Sequence, residues 1–173
     1  MDLLRAVAII KHYKQDISLC VIGSGNISEF IKIAVELGIS QNVKWIGFLP
    51  SLDEVHKAVV KARISVLPTY NDIMPGTIKE SMFLGIPVVA YATDSIPEIN
   101  SEGEVIALVP KGDYYALSFK IMQLLNDEFY MRELAARGKL RASLMFDESN
   151  SKRANDLCKG YMIALNEFSN DKD

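Results

Sequence analysis

Cysteine is nearly absent. Cys20 and Cys158 are the two in 173 residues, too few and too far apart for a disulfide framework or a zinc site, and both are expected to be reduced and structural. No uninterrupted apolar run approaches the ~20 residues of a membrane-spanning helix. The opening stretch MDLLRAVAIIKHYKQD carries an acid at position 2 and charges through its apolar face, which is not the pattern of a signal peptide. A cytoplasmic location is therefore the expectation. Basic excess is lacking as well: 19 Lys and Arg face 22 Asp and Glu, for a net charge of −3. That balance excludes a nucleic-acid surface spread over the whole protein and leaves room for a local anion site. No repeat or low-complexity linker divides the chain, and the core shows no metal-binding cluster of carboxylates. The length suits one domain with a substantial core, read as residues 1–168 followed by a polar tail over 169–173.

What is present is an alternation. Apolar positions at Leu3, Leu4, Val7, Ile10 and Tyr13 recur at helical spacing, and the continuous apolar run ISLCVIG (17–23) then reads as a buried strand. A helix ending at Gly38, a strand over 42–48, a helix over 51–62 capped by Ser51 and Glu54, and a strand over 63–69 follow. Next come a helix over 75–84, a strand over 86–92, a short helical turn at IPEIN, a strand over 104–110, and a helix capped by Asp113. The remainder to about 168 reads as helical with a break near Phe146 and Asp147. Strands that alternate with helices and are apolar on both faces predict a Rossmann-like, doubly wound parallel sheet with helices on each side. Ligands then bind beyond the carboxyl ends of the strands, at the loops 23–26, 47–51, 68–76 and 92–97.

Two of those loops suit a nucleotide. In VIGSGN, Gly23 and Gly25 stand between a strand and a helix, where absent side chains let a ligand approach the backbone. A tight strand-to-helix turn asks for the same glycines, so this pair alone decides nothing. The second loop is NDIMPGTIKE. With Pro75 as the first helical residue, the amides of Gly76, Thr77 and Ile78 project from a positive helix end and form a seat for phosphate. Glu80 lies four residues after Gly76 on the same face, within reach of hydroxyls such as those of a ribose, and Asp72 could touch another part of the same ligand. The alternative is a well-capped helix, with Asp72 as its cap and Glu80 solvated. His12 and His56 lie in helical segments without partners and read as surface residues. Arg132, Arg137, Lys139 and Arg141 read first as a solvated helix face and second as a contact for anionic lipid head groups.

The order Asp72, seven residues, Glu80, then Ser-Met-x-x-Gly-Ile-Pro-Val-Val-Ala resembles the E-x7-E region of the family 4 retaining glycosyltransferases of the GT-B fold, the glycosyl transferases group 1. ISLCVIGSGN (17–26), VKWIGFLP (43–50), ISVLPTY before the motif and IPEI (96–99) after it extend the similarity over essentially the whole chain, as the C-terminal, nucleotide-sugar-binding half of such an enzyme. The resemblance implies that Glu80 holds the ribose, the amides of Gly76, Thr77 and Ile78 the diphosphate, Gly23 and Gly25 the nucleotide, and the backbone around Phe48 the base. It makes Asp72 and Glu80 the catalytic acids, with Asp72 at the hydroxyls of the donor sugar. The implied donor is a UDP-sugar or GDP-sugar with no further cofactor and no metal, the acceptor a saccharide or lipid-linked molecule, and the location cytoplasmic or peripheral on the inner face of the membrane. Polysaccharide or glycolipid synthesis is the implied setting.

The sequence also departs from that pattern. Position 72 is Asp where the family usually has Glu, and Ile-Met-Pro replaces Gly-aromatic-Gly. The family's first strand of this domain, and the Arg and Lys that follow it, have no counterpart here. In the order 3-2-1-4-5-6 that strand is central, so the strands over 17–23 and 63–69 are expected to pair directly or to flank a slot filled by another segment, such as an N-terminal half or partner chain. A catalytically incomplete nucleotide-binding or regulatory module is the alternative function.

Overall fold

The computed structural model describes residues 1–73 and 75–145. In chain order these form α1 (Asp2–Tyr13), β1 (Leu19–Ile22), α2 (Ser28–Glu36), β2 (Val43–Gly47), α3 (Leu52–Val59), β3 (Ser65–Leu67), α4 (Gly76–Phe83), β4 (Val88–Tyr91), β5 (Ala107–Val109) and α5 (Tyr114–Asn126). Short 3-10 turns cover Ser40–Asn42 and Ile96–Asn100, the second where IPEIN predicts a helical turn. A last helix, α6, covers 128–145. The expected break at Phe146 and Asp147, Cys158 and the polar tail lie outside the described residues.

Each strand pair is parallel, as the alternation predicts. The sheet is not continuous, however. β1 pairs with β2, β4 lies between β3 and β5, and no ladder joins β1 to β3. Direct pairing of those two strands, one of the two expected arrangements, is thus not what the chain adopts. β1 and β3 each keep an edge without a ladder partner among the described residues.

The β3–β5 half is packed on both faces. β4 is buried at all four positions, and alternation sends Val89 and Tyr91 to one side and Val88 and Ala90 to the other. Val89 and Tyr91 meet Ala6 and Ile10 of α1 and Leu117, Ile121 and Leu124 of α5. Val88 and Ala90 meet Ile78 and Met82 of α4, Ile96 and Ile99 of the 3-10 turn, and Ala142 of α6. Each fully buried Leu or Ile here contributes about 1.5–3 kcal/mol by leaving water. Asn100 ties the turn to β5, its Oδ1 accepting from the amides of Val105 and Ile106 at 3.0 and 3.1 Å.

The β1–β2 half is covered on one face only. Leu19, Val21, Val43 and Trp45 pack on Leu4 and Val7 of α1 and Ala34 of α2, while Cys20, Lys44 and Ile46 on the other face are exposed. The run 17–23, expected to be a buried strand with a structural cysteine, is therefore half-buried. Continuous hydropathy reports that a strand can be covered from both sides, not that it is. α3 likewise buries none of its residues. Asn42 secures this half, donating from Nδ2 to the carbonyls of Gln15 and Ile17 at 3.1 and 2.8 Å.

Candidate active site

Parallel pairing brings the loops after β1 and β2 to the carboxyl edge of their sheet and the loops after β3 and β4 to the carboxyl edge of theirs. Helix α4 begins there at Gly76. Pro75 is its N-cap, with φ −62° and ψ 119°, rather than its first helical residue. The ring-fixed φ suits either place, and the shift changes which amides are available. The Ile78 amide bonds back to the Pro75 carbonyl at 3.2 Å, and the Ile78 side chain is buried in the core. The amides of Gly76 and Thr77 lie at the exposed helix end, where the N-cap Pro75 supplies no side-chain cap. The N-cap position is occupied by Pro75 and not by Asp72.

Glu80 folds back over that end. A Cβ built on Gly76 would lie 3.6 Å from Glu80 Oε1, so the glycine leaves the carboxylate room beside the first turn. Its other oxygen, Oε2, faces His56 Nε2 of α3 at 3.7 Å. Ser81 anchors the neighbouring position: it is buried, and its hydroxyl bonds that of Ser65 in β3 at 2.9 Å. Glu80 is thus fixed to a helix that is itself tied to the sheet.

Asp72 is held at two points. Upstream, the Tyr70 hydroxyl donates to Asp2 Oδ2 at 2.6 Å, and buried Tyr91 donates to the same oxygen at 2.9 Å. The hydrogen bond to Asp2 holds the Tyr70 hydroxyl above its ordinary pKa, and burial does so more strongly for Tyr91, so both stay protonated donors. Downstream, the Asp72 amide donates to Asp94 Oδ2 at 2.8 Å and the Ser95 hydroxyl donates to the Ile73 carbonyl. Asp94 adopts a left-handed backbone with φ 47°, a conformation that Asp tolerates better than most residues.

Gly23 and Gly25 form a second cluster with Phe48. Both glycines have positive φ, 147° and 133°, which accounts for their residue type by backbone geometry alone. The Gly23 amide bonds the Gly47 carbonyl at 2.9 Å, placing the glycine loop beside Phe48, which is 70% exposed. The site residues expected from sequence thus fall into two groups: Asp72, Gly76, Thr77 and Glu80 in one, Gly23, Gly25 and Phe48 in the other. Ile78 belongs to the core in its side chain and to a 3-10 bond in its amide.

Sequence reasoning missed His56, Asp94 and Ser95. A histidine 24 positions from its acid carries no local signature, and Asp94 is read only once its αL backbone is seen. Of the basic helix residues, Arg132 pairs with Glu128 at 2.5 Å, Arg137 with Glu104 at 3.9 Å and Arg141 with Glu102 at 3.0 Å. These ion pairs occupy the arginine side chains, with Arg141 itself largely buried. No group of His, Cys, Asp and Glu that could hold a metal occurs among the described residues, and no described helix is long and apolar enough to cross a membrane.

Comparison with known proteins decides the family. The family model of the glycosyl transferases group 1 matches residues 1–141. The chain belongs to this family. Among curated members, it is 29% identical over 146 residues to the amylovoran biosynthesis glycosyltransferase AmsK of Erwinia amylovora, covering 79% of this chain and 36% of that protein. In fold, this group 1 chain is similar to HepE of Anabaena in complex with UDP-glucose, with a TM-score of 0.82 at 20% identity over 91% of this chain and 44% of that one. It is also similar to the C-terminal domain of a group 1 family protein of Francisella tularensis, with a TM-score of 0.75 at 19% identity over 84% and 77%. The fold is that of the C-terminal-like domain of a GT-B glycosyltransferase. The chain spans about a third of the length of the curated relative, 36%.

Proposed function

We propose that this domain binds a nucleotide diphosphate sugar, UDP- or GDP-linked, between the Gly76 helix end and the glycine loop. Together with an acceptor-binding half, it transfers the sugar with retention to a saccharide or lipid-linked acceptor. The bond from the sugar's anomeric carbon to the diphosphate oxygen breaks, a bond to the acceptor oxygen forms, the acceptor hydroxyl loses its proton, and the diphosphate keeps the electron pair. The developing charge falls on the amides of Gly76 and Thr77, where the helix end carries about half a positive charge. Glu80 accepts from the ribose hydroxyls, Asp72 meets the sugar, and Phe48 flanks the base. One observation carries this reading: the Glu80 carboxylate lies beside the first turn of α4, whose N-cap Pro75 supplies no side-chain cap, at the carboxyl edge of the sheet. A carboxylate next to a helix start suits a ligand with hydroxyls beside an anion.

Titration calorimetry with UDP and GDP tests it. Glu80→Ala is expected to weaken binding of the preferred nucleotide by about 1–3 kcal/mol through loss of a charge-assisted bond. Unchanged affinity would return Glu80 to the protein surface. The second reading, a nucleotide-binding module without transfer, is favoured by the unpaired edges of β1 and β3. A radiolabelled-donor assay on the chain joined to an acceptor-binding half separates the two: transfer there supports the first reading and its absence the second. The chain alone is expected to transfer nothing under either, since the acceptor wall that positions the nucleophile and excludes water is contributed from outside the domain.

A further inference from the structure

We infer that His56 is a positioning residue for the nucleotide, acting through Glu80; this rests on the reading of Glu80 as the ribose acceptor. Its Nε2 is shielded from solvent, has no hydrogen-bond partner among the described residues, and faces Glu80 Oε2 at 3.7 Å. A shielded imidazole nitrogen left unpaired is costly, and here it is aimed at a carboxylate half an ångström or so beyond bonding distance. With hydrogen on Nε2, the imidazole donates toward the carboxylate in either its neutral or its charged form. The other oxygen, Oε1, stands against Gly76. The carboxylate is therefore confined between α3 and the first turn of α4, a pose that keeps lone pairs toward the space over the helix end. The placement also explains a histidine on α3: the N-terminus of that helix is fixed by the Ser51 cap, whose Oγ accepts from the Glu54 amide at 3.2 Å, and His56 lies one turn farther along.

The role differs from packing in a way that ligand chemistry exposes. If His56 acts only through the carboxylate that binds ribose, its contribution disappears when the ribose hydroxyls are removed. The experiment is calorimetry with UDP and with 2′,3′-dideoxy-UDP on the wild type, His56→Ala, His56→Gln, Glu80→Ala and the His56→Ala/Glu80→Ala double variant. His56→Ala is expected to weaken UDP binding about threefold to tenfold, and His56→Gln, which keeps an N–H donor, to restore most of it. Neither variant should alter the affinity for 2′,3′-dideoxy-UDP, which also reports that the site remains folded. His56→Ala should add nothing in the Glu80→Ala background. Equal weakening of both ligands, or additive effects of the two substitutions, would overturn the inference and leave His56 as packing. Wild-type protein that binds UDP, with a Glu80→Ala variant that binds it equally well, would remove the underlying role of Glu80 instead.

Discussion

The β3–β5 half and the β1–β2 half are built from strands of similar composition, yet only the first is enclosed. Val88, Val89, Ala90 and Tyr91 of β4 are each 1% exposed or less, whereas Cys20 and Ile46 on the outer face of β1 and β2 are open to solvent. The polar site residues divide along the same line. Asp72 and Glu80 sit on the enclosed half, and the glycine loop, Phe48 and His56, which reaches Glu80 from α3, on the open one. Charged groups whose positions must be held within tenths of an ångström stand where α4 and the loops are tied to the packed sheet. The open half offers backbone and an exposed ring, which tolerate a looser frame.

The comparison breaks if equivalent truncations cost the same in both halves. Leu117→Ala, at a position with no exposure beneath β4, is expected to cost about 2–5 kcal/mol, and Val21→Ala on β1 less than about 1.5 kcal/mol, in urea denaturation. Native-state hydrogen exchange sharpens it. Amides of β4 should open only with global unfolding, and those of β1 about 2 kcal/mol or more sooner. A smaller effect comes from Gly138. Alanine normally stabilises a helix by about 1 kcal/mol over glycine, but a Cβ here would lie 3.0 Å from the Val105 carbonyl oxygen and 3.5 Å from Met82 Cγ. Because the obstacle is backbone, Gly138→Ala is expected to lower stability by about 1 kcal/mol net. A rise in melting temperature would show that α6 is not seated tightly on the enclosed half. The smallest effect is alkaline. Burial and the bond to Glu104 push the Tyr130 hydroxyl from 10.0 to about 12. The stability this confers is full below the unfolded pKa and is lost as pH rises through the folded one. Between pH 10.0 and about 12, wild type should lose stability slightly faster than Tyr130→Phe, measured by circular dichroism.

Much of this was legible in the chain. Asp113 caps α5, accepting from the Ala116 amide at 2.8 Å, and Ser51 caps α3, because capping is a local transaction between residues three apart. Parallel pairing followed from alternation, and the position of Glu80 beside Gly76 from helical spacing. The strands were read one to three residues too long at their ends, since apolar residues continue past the last ladder bond. The helix start moved by one residue at Pro75, whose φ fits both assignments. His56, Asp94 and Ser95 stayed hidden for another reason. Each is defined by a partner more than 20 residues away, His56 by Glu80, Asp94 by the amide of Asp72, and Ser95 by the carbonyl of Ile73. The last two pairs come from the loops after β3 and β4 lying side by side, and the first from α3 lying against α4.

Helix α1 carries the remaining consequence. Ala6 and Ile10 belong to the core under β4, while Leu4 and Val7 belong to the core under β2. Since the two sheets share no ladder, this one helix acts as a rivet through both plates. A polar substitution at Ile10, which has no exposure, would release the plates from each other before either lost its own strands. Thermal melting followed separately at Trp45 in the open half and by far-ultraviolet dichroism would then split from one transition into two.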